Sequence, residues 1–157
     1  HAHQFEGFHE SSEELARIVN CAQRRLLILS PYLDHELFDR QPIADAISVL
    51  ARSAAKVEIR ILIFDSKPLV DRGHRLMNLA RRLDDKIKIR VLSERPDSRS
   101  SAFVCADLDA YWLLPSYDIH AGVADTGNPV TCRRLAETFE TAWAKARDDI
   151  ELRTLKL

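Results

Sequence analysis

The sequence predicts an α/β domain in which a mixed β-sheet lies between helices. Residues 25–31 and 57–64 are short apolar runs, and such runs are typical of central strands that are covered on both faces. An amphipathic helical stretch follows each run, which favours parallel strands joined by helices. The third observation is a strand, turn and strand over residues 101–114, which adds an antiparallel hairpin. The order β-α-β-α-β, hairpin, α-β therefore implies helices on both sides of a mixed sheet.

Apolar residues at helical spacing predict four helices. The first begins at a capping box, Ser11-x-x-Glu14, and ends near Gln23. The second starts at Pro42, a residue type favoured in a first helical turn, the third spans residues 68–83, and the last starts near residue 131. Strict alternation over residues 86–92 predicts a charged edge strand, and residues 150–155 predict a final short strand. Residues 118–130 are expected to be irregular.

The chain is expected to form one domain. Residues 1–10 are polar, contain three histidines and show no clear period, so we expect a tag remnant or linker there. Residues 11–157 are then a single α/β domain. Because residue 1 is His rather than Met, we expect either that a tag scar precedes the native sequence or that the chain is a segment of a longer protein.

The composition limits the class of protein. A chain of 157 residues, 46% hydrophobic, can bury one substantial core. Its apolar runs fall short of the roughly 20 residues that span a bilayer, so no membrane partner is predicted. The net charge of −1 provides no overall basic field and argues against a nucleic-acid partner. The three cysteines include no Cys-x-x-Cys pair, which indicates reduced thiols in the cytoplasm.

Two features outside any motif supply candidate binding residues. Tyr32 follows the first predicted strand, at the end where ligands of α/β sheets dock, although a partly buried packing tyrosine fits the pattern better. Arg72, His74 and Arg75 lie in the most basic stretch of the chain. That stretch is either a solvated helix face or an anion-binding face, because guanidinium groups suit planar oxyanions.

One acidic cluster raises the question of a metal site. It consists of Asp107, Asp109 and Asp118 together with His120. Aspartates are common in turns for conformational reasons, and the cluster lacks the remaining ligands that a hard cation needs. We therefore predict no metal site and no cofactor.

Four stretches together resemble the phospholipase D-like superfamily. RRLLILSPYLD and VEIRILIFDSK are similar to the first two strands of that fold, and TFETAWAKA is similar to its closing helix. SAFVCADLDAYWLLPSYD resembles the strand-turn-strand that bears the family motif H-x-K-x-x-x-x-D. The resemblance runs from about Arg24 to Ala146 and implies a single half of a phospholipase D-like fold.

The motif side chains that carry the chemistry of that family are replaced. With Asp107 as the motif aspartate, Ser100 stands in place of the nucleophilic histidine and Ala102 in place of the lysine. Ser100 cannot form the phosphohistidine of the family's covalent mechanism, and Ala102 cannot hold a phosphate oxygen. In the family a Gly-Ser-x-Asn-like segment follows the motif. Here Ser116 stands at the position of its serine, and Asp118 stands near the position of its asparagine. The resemblance thus implies a degenerate pocket formed by these five residues, with His120 and Tyr32 beside it.

Three functions fit this pattern. The first is a non-catalytic module that binds a ligand or partner, or regulates an attached enzyme. The second is a divergent phosphodiesterase or nuclease, which would need a homodimer for two motif copies, with His74 or His120 as nucleophile and Asp118 or Asp107 orienting it. The third is nucleic-acid binding through the Arg-rich third helix, which the near-zero net charge weakens.

A second resemblance concerns what is attached to the chain. The stretches GHRLMNLARRL and DDIELRTLKL resemble an uncharacterised domain found behind GNAT-type acetyltransferases in bacterial proteins. That resemblance implies an attached acetyltransferase domain. Such a domain would lie outside these residues, because they contain no acetyl-CoA pyrophosphate loop of that type.

Overall fold

The computed structural model describes residues 2–93 and 101–148, in which one sheet and six helices are formed. The strands are β1 (His3–Glu6), β2 (Arg25–Leu29), β3 (Glu58–Ile63), β4 (Ile87–Val91), β5 (Ala102–Ala106), β6 (Ala110–Leu114) and β7 (Ala121–Asp125). The helices are α1 (Gly7–Cys21), α2 (His35–Phe38), α3 (Gln41–Ser53), α4 (Lys67–Arg72), α5 (Arg75–Arg82) and α6 (Pro129–Lys145).

The seven strands of the described chain form one mixed sheet in the order β1-β7-β6-β5-β2-β3-β4. β2, β3 and β4 are parallel, whereas β5, β6, β7 and β1 each pair antiparallel with a neighbour. The predicted mixed sheet is therefore confirmed, and β4 is an edge strand as the alternation of its charges predicts. At the end of β4, Val91 pairs with Arg147 through two backbone hydrogen bonds of 2.8 and 3.1 Å.

Helices cover both faces of the sheet, but unequally. Helices α1 to α5 pack on one face over a large apolar core that contains the fully buried Trp112 and Phe38. Of the described helices, α6 alone packs on the other face, through Phe139 and Trp143, whose rings stack with centroids 5.5 Å apart. The strand residues alternate between these two cores, as the period of a pleated sheet requires.

The N-terminal part of the chain differs from the predicted linker. Residues 3–6 form β1, which pairs with β7, and Phe5 is 2% exposed against the ring of Trp112. Helix α1 begins at Gly7, so Ser11 lies inside the helix and its hydroxyl donates to the Phe8 carbonyl at 3.0 Å. The predicted capping box is therefore wrong. β1 escapes a periodicity analysis because only one of its four side chains is buried.

Residues 118–130 also differ from prediction, because β7 lies within them. The sequence AGVAD carries a weak strand signal, since glycine is depleted in strands. Gly122 is required here by a close approach: a Cβ at this position would lie 1.9 Å from the Leu113 carbonyl oxygen. The predicted strand over residues 150–155 lies outside the described residues. No helix of the described chain combines the length and apolarity that crossing a membrane demands.

The predicted third helix is interrupted at Gly73 and His74. Gly73 has a φ of +74°, a conformation that favours glycine and ends α4. His74 then caps α5, because its Nδ1 accepts a hydrogen bond from the Leu76 amide at 3.1 Å. Its Nε2 donates to the Leu33 carbonyl at 3.1 Å, so both ring nitrogens are occupied in the neutral imidazole.

The turn between β5 and β6 is fixed by Asp107. This residue has a φ of +56°, which aspartate tolerates better than most side chains. Its carboxylate accepts hydrogen bonds from the backbone amides of Gln23, Arg24 and Arg25 at 2.8–3.1 Å. The Asp107 amide donates to the Arg25 carbonyl at 2.8 Å, and the Arg25 guanidinium donates to the Asp107 carbonyl at 2.9 Å, so the turn holds the start of β2 in place.

We predict that Asp107→Ala lowers the free energy of unfolding by about 2–4 kcal/mol, because three amides lose their acceptor and alanine is strained at this φ. Asp107→Asn should cost less, since it keeps one acceptor oxygen and tolerates the left-handed region. The measurement is urea unfolding. Asp109→Ala, an exposed aspartate of the same turn, is the control and should change stability by no more than about 0.5 kcal/mol. Equal losses in the free energy of unfolding for Asp107→Ala and Asp109→Ala would show that the Asp107 carboxylate does not hold the start of β2.

We predict that His74, which is 3% exposed, makes the free energy of unfolding depend on pH. Burial, with His35 and Arg75, lowers the pKa of His74 from 6.5 to about 4, against the opposing charge of Asp39. The unfolded chain then binds the extra proton between these values, so stability should fall as the pH drops from about 6.5 to about 4, by about 3 kcal/mol.

The variant His74→Asn tests this contribution. Asparagine can still cap α5 but does not titrate, so its urea-unfolding profile should depend less steeply on pH than that of the wild type. At a pH of about 7 the His74 and Asn side chains are both neutral. The difference in free energy of unfolding between wild type and variant at that pH is therefore the effect of the substitution apart from titration. Parallel profiles down to a pH of about 4 would show that His74 is not the responsible group.

Candidate functional site

The candidate site is the edge of the sheet at which β2 ends, which we call the carboxyl edge. It comprises residues 30–36 after β2, residues 115–120 between β6 and β7, the first residues of α1, and Ala102 at the start of β5. The Gly7 amide donates to the His120 carbonyl at 2.7 Å and joins α1 to this edge. Ligands of open α/β sheets dock at such edges, which makes this one the first place to look for a site.

Two half-buried tyrosines lie at the carboxyl edge. The rings of Tyr32 and Tyr117 are tilted by 58° with their centroids 5.5 Å apart. Partial burial raises the pKa of Tyr117, and the nearby Tyr32, Asp118 and Asp34 raise it further. The Tyr117 hydroxyl therefore stays protonated, and its ring packs against that of Tyr32.

Two carboxylates flank the tyrosine pair. Asp118 is exposed and accepts a hydrogen bond of 2.5 Å from the Ser116 hydroxyl. Asp34 is half-buried, and its side chain makes no hydrogen bond or ion pair with any described residue. Burial of the Asp34 carboxyl raises its pKa, Glu36 raises it further, and His120 and His35 oppose them. Asp34 is thus a carboxylate without a protein partner in the described chain.

His120 completes the cluster. Its ring meets Phe8 edge to face with the centroids 5.6 Å apart, and it lies near enough to Asp34 to lower the pKa of that carboxyl. The structure therefore brings together four of the predicted pocket residues, namely Tyr32, Ser116, Asp118 and His120. Among the described residues no group of three or more His, Cys, Asp and Glu side chains is arranged to hold a metal ion.

The position of the motif lysine is filled by a buried methyl group. Ala102 is 3% exposed, pairs with Leu114 across the hairpin and belongs to the core beneath α1 to α5. No positive charge can be supplied from this position. Ser100, the residue in place of the motif histidine, lies outside the described residues.

Asp107 lies at the opposite ends of the strands from the other pocket residues that the structure describes. It lies five positions along the chain from Ala102, which corresponds to about 17 Å along an extended strand. Both of its carboxylate oxygens accept hydrogen bonds from backbone amides near the start of β2. Asp107 therefore acts on the fold and does not line the carboxyl edge.

The predicted anion-binding group is not assembled as three free cations. His74 is buried and neutral, as described above, and Arg75 bonds to Asp39 through its amide at 2.9 Å and its guanidinium at 3.1 Å. Arg72 is exposed at the end of α4. Only Arg72 of the three is therefore placed to meet an anion from solvent without first leaving a protein partner.

A groove of about 730 Å³ lies on the α6 side of the carboxyl edge. Its floor is apolar, with Leu29, Phe64 and Phe103, and its wall on α6 carries Arg134 and Lys145. Among the described residues, Glu137 is its one acidic lining residue, and no histidine or cysteine lines it. The described lining offers cations and hydroxyls but no pair of groups for nucleophilic or acid–base catalysis.

Sequence reasoning missed Asp34 and Tyr117. Both could be found as neighbours of predicted residues, since Asp34 ends the segment that leaves β2 and Tyr117 lies between Ser116 and Asp118. Their importance comes from contacts between the two segments, which no local pattern in the sequence reports.

Comparison with solved structures places this fold among phospholipase D-like folds. Nuc from Salmonella typhimurium, a phospholipase D family member, aligns with a TM-score of 0.61 and 14% identity, over 86% of this chain and 88% of Nuc. NucT from Helicobacter pylori aligns with a TM-score of 0.59 and 12% identity, over 95% of this chain and 99% of NucT.

TrmBL2, an archaeal chromatin protein whose structure shows a novel mode of DNA binding, aligns with a TM-score of 0.68 and 15% identity. The match covers 94% of this chain and 54% of TrmBL2, so the chain spans about half the length of that protein. At these identities the three likenesses show the fold. No curated protein matches the sequence.

A family model matches nearly the whole chain, over residues 8–155. The match includes the hairpin with Ala102 and Asp107 and the segments that carry both tyrosines. The chain therefore belongs to the family described as a domain of unknown function, DUF7931, and it has a phospholipase D-like fold.

Proposed function

We propose that this chain is a phospholipase D-like binding module that does not cleave phosphodiester bonds, and that its ligand site is the carboxyl edge. The observation that carries the proposal is Ala102, which puts a methyl group, 3% exposed, where the motif has a lysine. A phosphoryl group in the site would lack the cation that stabilises its charge in the transition state.

The substitute catalytic groups do not form a working pair. A nucleophile needs a base or an orienting group within hydrogen-bond reach. His74 uses both ring nitrogens in backbone hydrogen bonds. The ring of His120 makes no hydrogen bond with any residue that the structure describes, and Asp107 lies at the other edge. This supports binding over hydrolysis.

Two alternatives remain open. A divergent homodimeric phosphodiesterase would need a second copy of the chain to bring an orienting group to His120. A nucleic-acid-binding module would use α4 and α5, where Arg72 and Arg82 are exposed while Arg75 is paired with Asp39. The likeness to TrmBL2 supports the nucleic-acid alternative, and the net charge of −1 weighs against it.

We expect the purified chain to release p-nitrophenol from bis(p-nitrophenyl) phosphate no faster than a protein-free blank. We also expect it to leave labelled single- and double-stranded DNA uncut and unretarded in a gel at low salt, where phosphate contacts are strongest. Hydrolysis above the blank that disappears in His120→Ala would refute the proposal in favour of the phosphodiesterase. Retardation that weakens steeply with added salt and in Arg72→Ala would favour nucleic-acid binding.

We further propose that the chain works in the bacterial cytoplasm as a regulatory part of a longer protein with an acetyltransferase domain. The resemblance of residues 73–83 and 148–157 to a domain found behind GNAT-type acetyltransferases supports this. We expect an antibody against this chain to detect a longer protein in the source cells. That protein should exceed the chain by at least one domain, which is about 100–150 residues. Detection at the mass of the chain alone would exclude the attachment.

A further inference from the structure

The tyrosine pair presents two aromatic faces that are tilted against each other. Tyr32 and Tyr117 are both half-buried, and the angle between their rings is 58°. The face of an aromatic ring carries negative electrostatic potential and attracts cations within about 6 Å of its centroid. Two tilted rings with centroids 5.5 Å apart can contact one small group from two directions.

The charged side chains around the tyrosine pair also favour a cation over an anion. Asp34 and Asp118 both act on the Tyr117 hydroxyl. Among the described residues, the charged groups that act on Asp34 are Glu36, His120 and His35, and none of these is a lysine or an arginine. Ala102 removes the cation that the phospholipase D-like motif would place at this edge. An anionic ligand would therefore meet carboxylates, whereas a cation would find in Asp34 a counter-ion that has no partner in the described chain.

The type of cation follows from the spacing of the ligands. A divalent metal ion needs several oxygen ligands that converge on one point. Within the described residues no three His, Cys, Asp or Glu side chains do so. Aromatic faces next to a single carboxylate suit an organic ammonium group, whose charge is spread over a larger and more weakly hydrated surface.

We propose that the carboxyl edge binds an organic ammonium group, seated against the rings of Tyr32 and Tyr117 and neutralised by Asp34. The inference rests on the proposed binding function and names its ligand class. Such a group can belong to a free amine or to a lysine side chain of a protein partner, and both have the same local chemistry.

The test is a titration of the chain with tetramethylammonium chloride and, separately, with Nα-acetyl-lysine amide, at ionic strength matched with sodium chloride. The ring signals of Tyr32 and Tyr117 in carbon–proton correlation NMR spectra report binding. We expect saturable shifts of both rings. Tighter binding of tetramethylammonium would indicate a free, fully substituted ammonium ligand, and tighter binding of the lysine derivative a protein side chain.

Three variants locate the site. Asp34→Asn keeps the shape and removes the charge, and we expect about tenfold weaker binding. Tyr117→Phe keeps the ring and should bind within about twofold of the wild type, whereas Tyr117→Leu should lose about tenfold. Asp109→Asn, an exposed aspartate at the opposite edge, is the matched control and should bind like the wild type. The two near-isosteric variants keep the test decisive if Tyr117→Leu does not fold.

Three outcomes would overturn the inference: no saturable shift with either ammonium probe, unchanged binding by Asp34→Asn, or saturable shifts with sodium phosphate in place of the ammonium probes. The hydrolysis assay on the same sample separates this failure from that of the proposed function. Absence of ammonium binding without hydrolysis removes only the ligand class, whereas hydrolysis removes the non-catalytic function itself.

Discussion

The structure depends on the burial of β2 between two apolar layers. Leu26 and Ile28 belong to the core beneath α1 to α5, and Leu27 and Leu29 to the core beneath α6. β2 is also where the sheet changes from parallel pairing, with β3, to antiparallel pairing, with β5. Because side chains alternate along a strand, a slip of one residue would exchange the contents of both cores. The Asp107 contacts fix where this strand starts, and the segment with Tyr32 leaves from where it ends.

The central part of the fold could be predicted because its signals are local. β2 and β3 are continuous apolar runs, and the hairpin of β5 and β6 is two apolar runs around Asp107-Leu108-Asp109. β1 and β7 could not be found in this way, because β1 buries one side chain and β7 contains a glycine that a close backbone contact requires. The third helix was predicted without its interruption, since helical spacing of leucines continues across Gly73 while its positive φ ends the helix.

The candidate site was predicted in part, for the same physical reason. Tyr32, Ser116, Asp118 and His120 follow strand ends, and strand ends on one edge of a sheet meet wherever the strands pair as predicted. Asp107 was grouped with them by its spacing in the motif, although five strand residues carry it to the far edge. The Asp34 carboxylate has no partner among the described residues, and this is a property of packing between segments that only the tertiary structure shows.

The pairing of Arg147 with Val91 has a consequence for how copies of this protein behave beside one another. An unprotected edge strand invites a strand from another molecule to add to the sheet and begin a fibril. Here the segment that follows α6 forms backbone hydrogen bonds with β4 at Val91. Lys88 and Arg90 place charge on the rest of that strand. β4 is consequently a poor template for aggregation, even though its alternate residues are isoleucines and a valine.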